Sequence, residues 1–248
     1  MRHRDVRVNS IGDALRHLKA QSNAGQIVWF RGQSVNTWKL VPSLARNPDH
    51  LKAENALRKR FMQNAVPHLE SEPLHEWEWM FMMQHHRAPT RLLDWSEGPL
   101  AALYFAVSEE AHSGQDAAVW CLDPIGLNKE ARFNFEFTNE IPAFGIDSVL
   151  DSYLPSHVTA AGNILNAVAI VGPRNNARMV AQLGVFTVNH RDHKPIEELG
   201  QKNHVWRWII PAAAKAGLRR ELALLGFTTL TLFPELDRVA DVAREILS

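Results

Sequence analysis

Cysteine is all but missing from this chain. Cys121 stands alone among 248 residues, which excludes an internal disulfide framework and fits a reducing compartment. Long hydrophobic runs are missing too. No apolar stretch approaches the ~20 residues a membrane-crossing helix needs, and the charged opening Met1–Arg7 has no hydrophobic segment behind it. These absences predict a cytoplasmic protein without a membrane partner. An excess of either charge is also lacking, since 27 basic residues meet 27 acidic ones. No global field then steers the chain to nucleic acid, and any such contact needs a local patch. The 12 histidines are scattered, which predicts surface or hydrogen-bonded groups and no metal. There is enough chain for a core without staples, because a globule of this length buries roughly 70–75% of its unfolded surface.

Polar groups crowd an apolar run most densely in Met83–Val107. Pro89 fixes its own φ and pushes Ala88 toward extended geometry, so a helix ending near His85 gives way to a turn. Leu92-Leu93 follows as a short buried strand. Asp94 or Ser96 can cap the next helix, with Glu97 and Pro99 in its first turn, and Leu100, Leu103, Tyr104 and Val107 recur at helical spacing. Gln84, His85, His86, Arg87, Arg91, Asp94 and Trp95 thereby share one strand-to-helix corner, a place suited to anions and ligands. Upstream, Ile27–Phe30 reads as a central strand that delivers Arg31-Gly32-Gln33. A cationic fork beside bare backbone suits phosphate or carboxylate; the alternative is that Arg31 pairs with a buried acid. Arg91 and Asp94 have a bland alternative as well, which is to pair with each other.

Elsewhere, Ser10 caps a helix over Ile11–Ala20 with Leu15 and Leu18 on one side. Trp38–Leu44 reads as extended. Ala53, Leu57, Phe61 and Ala65 predict an amphipathic helix over Leu51–Leu69, with Glu54, Arg58 and Lys59 mostly outward or Glu54 turned in to Arg31. Trp77, Trp79, Met80 and Met83 form a core stripe. Strands are expected over Ala117–Leu122, Ile164–Val171, Gln182–Val188, His204–Ile210 and Phe227–Phe233. Helices are expected over Asn175–Ala181, over Ala212–Leu225 up to a left-handed Gly226, and over Glu235–Leu247 with Leu236, Val239, Val242 and Ile246 inward. Residues 128–157 lack periodicity and read as an irregular insertion. The sum is an α+β fold with a mixed, split or strongly curved sheet flanked by helices, and a cleft between the Arg31 strand end and the Gln84–Ser96 corner. Arg174, Arg178, Arg191, Lys194, Lys215, Arg219 and Arg220 form either a basic face or a surface interleaved with acids.

Trp29-Phe30-Arg31-Gly32-Gln33, Gln84-His85-His86, Pro89-Thr90-Arg91-Leu92-Leu93-Asp94-Trp95, Pro99 and Ala102-Leu103-Tyr104-Phe105-Ala106 together resemble the FRG domain, named for its Phe-Arg-Gly signature. Asn176-Ala177-Arg178, Gln182-x-Gly184-x-Phe186 and Leu232-Phe233-Pro234-Glu235-Leu236-Asp237 resemble its closing motifs. The chain is therefore expected to be one FRG-type domain over 1–248, with 1–25 as a helical lead-in. The motif order is similar to that of ADP-ribosyltransferase-like folds. The resemblance implies NAD as substrate, ADP-ribose transfer to a nucleic acid (RNA included) or protein acceptor, a toxin or anti-phage role, and an antitoxin or chaperone partner. It implies Arg31, His85, Asp94 and Gln182 as catalytic residues. Around NAD it implies Arg31 and Gly32 at the pyrophosphate, with Gln33 and Gln84 beside them. Trp95 or Tyr104 would stack on nicotinamide, His85 or His86 would bond ribose hydroxyls or relay a proton, and Arg91 would meet a second phosphate. Many such transferases carry a glutamate on the third motif strand, where this chain has Gln182. Either Gln182 substitutes, or Asp94, Glu54, Glu97 or Glu221 supplies the acid. Two rival readings are a binding module without turnover and a metal-dependent hydrolase using His85, His86 and Asp94. The second is awkward if both histidines lie on one strand, since neighbours there point to opposite sides.

Overall fold

A computed structural model describes residues 1–131, 140–158, 164–191, 194–244 and 246. Among them, seven strands form one sheet: β1 (Val6–Arg7), β2 (Trp29–Gln33), β3 (Leu92–Ser96), β4 (Ala117–Leu122), β5 (Val168–Ile170), β6 (Gly184–Val188) and β7 (Val205–Ile210). Their order is β1-β7-β4-β2-β3-β6-β5. β1 runs parallel to β7 and the other neighbours are antiparallel, so the sheet is mixed. The helices are α1 (Ile11–Gln21), α2 (Pro48–Lys52), α3 (Glu54–Ala65), α4 (Glu76–His85), α5 (Pro99–Val107), α6 (Pro124–Glu130), α7 (Pro155–Val158), α8 (Ala177–Ala181), α9 (Ala212–Leu224), α10 (Thr229–Leu232) and α11 (Leu236–Arg244).

β4 is buried at all six positions because both its faces are covered. Ala117, Val119 and Cys121 pack with residues of α1, α5 and α9, whereas Ala118, Trp120 and Leu122 pack with Trp95, Leu127 and Ile196. That alternation is the period of two that pleating imposes. β2 makes five residue pairs with β4, and β3 makes five with β6, but β2 and β3 share only Phe30↔Ser96. The seven strands nonetheless form one mixed sheet, in which β2 and β3 pair over a single rung. α5 lies close across β2: a Cβ on Gly32 would collide with the Ala102 carbonyl and sit 2.7 Å from the Ala106 amide nitrogen. Gly32 thus serves strand-to-helix packing, a role the sequence reading did not give it.

Several expectations need correction. Leu15 is 51% exposed and Ala14 is the buried residue of α1. The Leu51–Leu69 helix is broken at Ala53 into α2 and α3, and the residue of α3 that is buried is Glu54. Residues 227–233 form no strand: Thr228 and Thr231 exchange hydrogen bonds in a capping box that opens α10, and this local bonding overrides β-branched propensity. Gly98 is the N-cap of α5, in place of Asp94 or Ser96. α11 turns Leu236 and Val239 outward, and Ile246 beyond it is also exposed. Asp123 caps α6, and a 3-10 turn at Ser148–Tyr153 and α7 give order within 128–157, of which 132–139 lie outside the described residues. Three of the residues offered for a basic face follow the interleaved alternative or leave the surface: Arg174 pairs with Glu97, Arg219 with Glu110, and Lys215 is buried against the carbonyls of Ser34 and His112.

Candidate functional site

The opening between β2 and β3 leads into a cavity of about 860 Å³ lined by Arg31, Gly32, Gln33, Gln84, His85, Asp94, Trp95 and Gln182, among others. This lies within the 300–1,000 Å³ range of small-molecule sites. The two candidate segments therefore meet at one hollow.

Arg31 leaves β2 where that strand diverges from β3. Its Nη1 donates to the Asp94 carbonyl at 2.6 Å, and the Asp94 carboxylate lies 4.0 Å away. Its buried Nε has no partner. A side chain thus takes the place of a missing ladder bond and keeps donors in reserve. Burial pulls the guanidinium's pKa below its ordinary value, with Asp94 opposing. Since arginine stays charged in proteins, the shift expresses the cost of desolvating a cation that an anion would offset.

Asp94 sits between buried Leu93 and Trp95, so pleating points its carboxylate to the other face, where it is exposed. Gln84 Nε2 donates to Asp94 Oδ2 at 2.8 Å, the Thr90 hydroxyl donates to Gln84 Oε1, and the Leu92 amide donates to Thr90 Oγ1 at 3.0 Å. This chain of bonds fixes the carboxylate. His85 ends α4; burial chiefly, then the positive charge of His86 and Arg178, lowers its pKa below the ordinary 6.5. It is neutral at neutral pH.

Other expected residues lie elsewhere or do something else. Arg91 is buried away from the cavity, donating from Nε and Nη2 to Glu54 at 2.6 and 2.5 Å and from Nη1 to the His190 carbonyl. It pairs with neither Asp94 nor a ligand, and Glu54 does not reach Arg31. Tyr104 shares a hydrogen bond with Thr229 at 2.8 Å and does not line the cavity. His86 is exposed beside Phe61. Both histidines belong to the end of α4 and not to a strand. Trp95 is 3% exposed with its indole donating to Thr187, so Trp38, which is 46% exposed, and the half-buried Phe105 and Phe233 are the more accessible aromatic rings of the wall. Gln33 accepts from the Trp120 indole at 2.9 Å. Gln182 Nε2 donates to the Leu232 carbonyl at 2.9 Å, which ties α10 to the site. Among the four alternative acids, Glu97 pairs with Arg174 and Glu221 accepts from the Ile11 amide. Asp94 alone of the four lines the cavity.

The sequence reading missed Arg46, Glu109, Phe233 and Arg238 as lining residues, and placed Arg178 on a surface. Phe233 and Arg178 stand in the quoted closing motifs, which was the available signal. Among the described residues, no group of three or more His, Cys, Asp or Glu is placed to hold a metal ion.

Fold and site together define a mixed α/β protein, a seven-stranded sheet flanked by helices with a cationic cleft at its seam. Residues 26–115 match the family model of the FRG domain, so the chain carries an FRG domain there. That segment supplies β2, β3, α4 and α5, the elements on which Arg31, Gln84, His85 and Asp94 stand. No curated protein and no solved structure matches the chain.

Proposed function

We propose that the cleft binds NAD and that the protein is an ADP-ribosyltransferase-like enzyme. The observation that carries this is Arg31 in the open seam, half-buried, bonded once, and facing a cavity of dinucleotide size with a fixed carboxylate beside it. The donor set fits the ligand: guanidinium forks suit pyrophosphate oxygens bidentately. NAD would supply the nicotinamide–ribose bond whose cleavage releases nicotinamide. Arg31 anchors the phosphates and Asp94, held by Gln84, faces positive charge that develops on the ribose. Neutral His85 accepts a proton from the incoming acceptor group. Gln182 orients through its free carbonyl oxygen, its amide being committed to Leu232. An acceptor macromolecule at the mouth, and a toxin or antiviral role, follow from the FRG resemblance. Two observations favour a second reading, a binding module without turnover: Asp94 is exposed, and Gln182 is engaged in structure.

The two readings part in one experiment. NAD at 100 times its dissociation constant should stabilise the fold by about 2.7 kcal/mol, a melting shift of roughly 5–10 °C. With candidate acceptors supplied, the enzyme releases nicotinamide and Asp94→Asn loses about 100-fold or more in rate. A shift without release identifies the binding module, and no shift removes NAD.

A further inference from the structure

Besides Arg31, the lining of the cleft includes a second set of guanidiniums, from Arg87, Arg178 and Arg238. Arg87 follows α4 with φ of 62°, a left-handed conformation that glycine adopts freely and an L side chain rarely does. The Arg87 amide donates to Gln84 O at 3.1 Å and the Ala88 amide to Met83 O at 2.9 Å, which locks the helix end in that shape. A residue held against its backbone preference at a cleft points to use of its side chain. The Arg87 guanidinium has no hydrogen bond or ion pair with any described residue. Arg178 Cζ lies 4.9 Å and Arg238 Cζ 5.8 Å from the centre of the Phe233 ring, which gathers both around one aromatic. The nearest carboxylate to Arg178 is that of Glu235, at the loose distance of 3.8 Å. Burial chiefly, and the charges of Arg87 and Arg238, depress the pKa of Arg178 against the opposing pull of Glu235 and Asp94. Arg238 also pairs with Asp241 at 3.0 Å, which leaves Arg87 as the guanidinium of the group without a carboxylate partner among the described residues.

In a chain with equal numbers of acids and bases, such a local excess calls for an anion. Its shape can be narrowed. A polynucleotide needs a continuous cationic track along the surface, and beyond the cleft Arg174, Arg219 and Lys215 are engaged by Glu97, Glu110 and backbone carbonyls. A compact dianion ringed by several forks fits better. We infer that Arg87, Arg178 and Arg238 form a subsite for a phosphate monoester, so that the preferred dinucleotide carries a third phosphate on its ribose: NADP over NAD. The dinucleotide part of this inference rests on the reading of the Arg31 seam; the monoester part rests on the arginine group.

Calorimetry of the full chain at matched ionic strength tests it. NADP should bind at least about 10-fold more tightly than NAD. Arg87→Gln, at an exposed position that folding tolerates, should cut that preference several-fold and leave NAD affinity unchanged; Arg238→Gln provides a second, independent loss. Arg31→Gln should weaken both dinucleotides alike. Inorganic phosphate should raise the melting temperature above that in chloride of equal ionic strength, and Arg87→Gln should abolish the rise. Equal affinity for NAD and NADP overturns the inference while leaving the seam reading intact, and a preference for NADP indifferent to both variants overturns the assignment to these arginines. If neither dinucleotide binds, the seam reading fails, and the phosphate arm decides the subsite: an Arg87-dependent rise upholds it and no rise overturns it.

Discussion

Arg31 stands in β2 and Arg91 just before β3, yet they meet opposite fates. Arg91 is enclosed by both oxygens of Glu54 and the His190 carbonyl. Arg31 has one carbonyl, a carboxylate at the limit of ion pairing, and a buried Nε without a partner. A cation saturated by the protein is part of its frame. One left partly unsatisfied beside a hollow is where an outside anion gains most.

The largest effect should come from the frame. Glu54→Ala leaves Arg91 buried and unpaired, at a cost of about 3–5 kcal/mol, and lowers the melting temperature on the order of 10 °C. A urea melt showing a loss below about 1 kcal/mol would erase the contrast. Arg31→Gln should do the reverse: stability stays within about 1 kcal/mol, while ligand affinity falls by about 1.5–3 kcal/mol, roughly 10- to 150-fold. Equal losses of stability in the two variants would make Arg31 a structural residue. Arg87→Gly relieves the left-handed strain and should raise stability by about 1 kcal/mol, read from the same melts, at the expense of the phosphate response.

The smallest effect is a pH trend. His85 and His190 both have lowered pKa values, each chiefly through burial, with Arg178 near the first and Arg91 near the second. The folded protein binds these protons less readily than the unfolded chain does. Their contribution is therefore present above the ordinary value of 6.5 and is lost as pH falls through 6.5 toward the folded values. Melting temperature should decline between about pH 7.5 and 5.5, and His85→Gln should flatten part of the decline. A level profile would deny these cationic neighbours their influence.

Much of this was legible because it is local. The apolar run ending in Arg31, the proline turn before Leu92 and the spacing from Leu100 to Val107 gave β2, β3 and α5, and with them the convergence of Arg31, Gln84, His85 and Asp94. What escaped depends on distant contacts or on a few side-chain bonds. Periodicity put Glu54 on an outward face, but the break at Ala53 turns it in to a partner 37 residues away. Thr228 and Thr231 replaced an expected strand with a turn of helix. Arg178 and Arg238 line the cleft alongside contacts of Gln182 with Leu232 and of Glu235 with Arg178, pairings between distant residues that spacing does not reveal even though Arg178 stands in a quoted motif.

The walls of the cleft are drawn from Phe30 at one extreme to Arg238 at the other, and β1 pairs with β7 near the far end of the chain. Domains fold as units during synthesis, so a ribosome-bound chain that has exposed the FRG-matching segment still lacks Arg178, Phe233 and Arg238. The hollow comes into being only after those residues emerge, and a nascent fragment cannot carry whatever the finished cleft does.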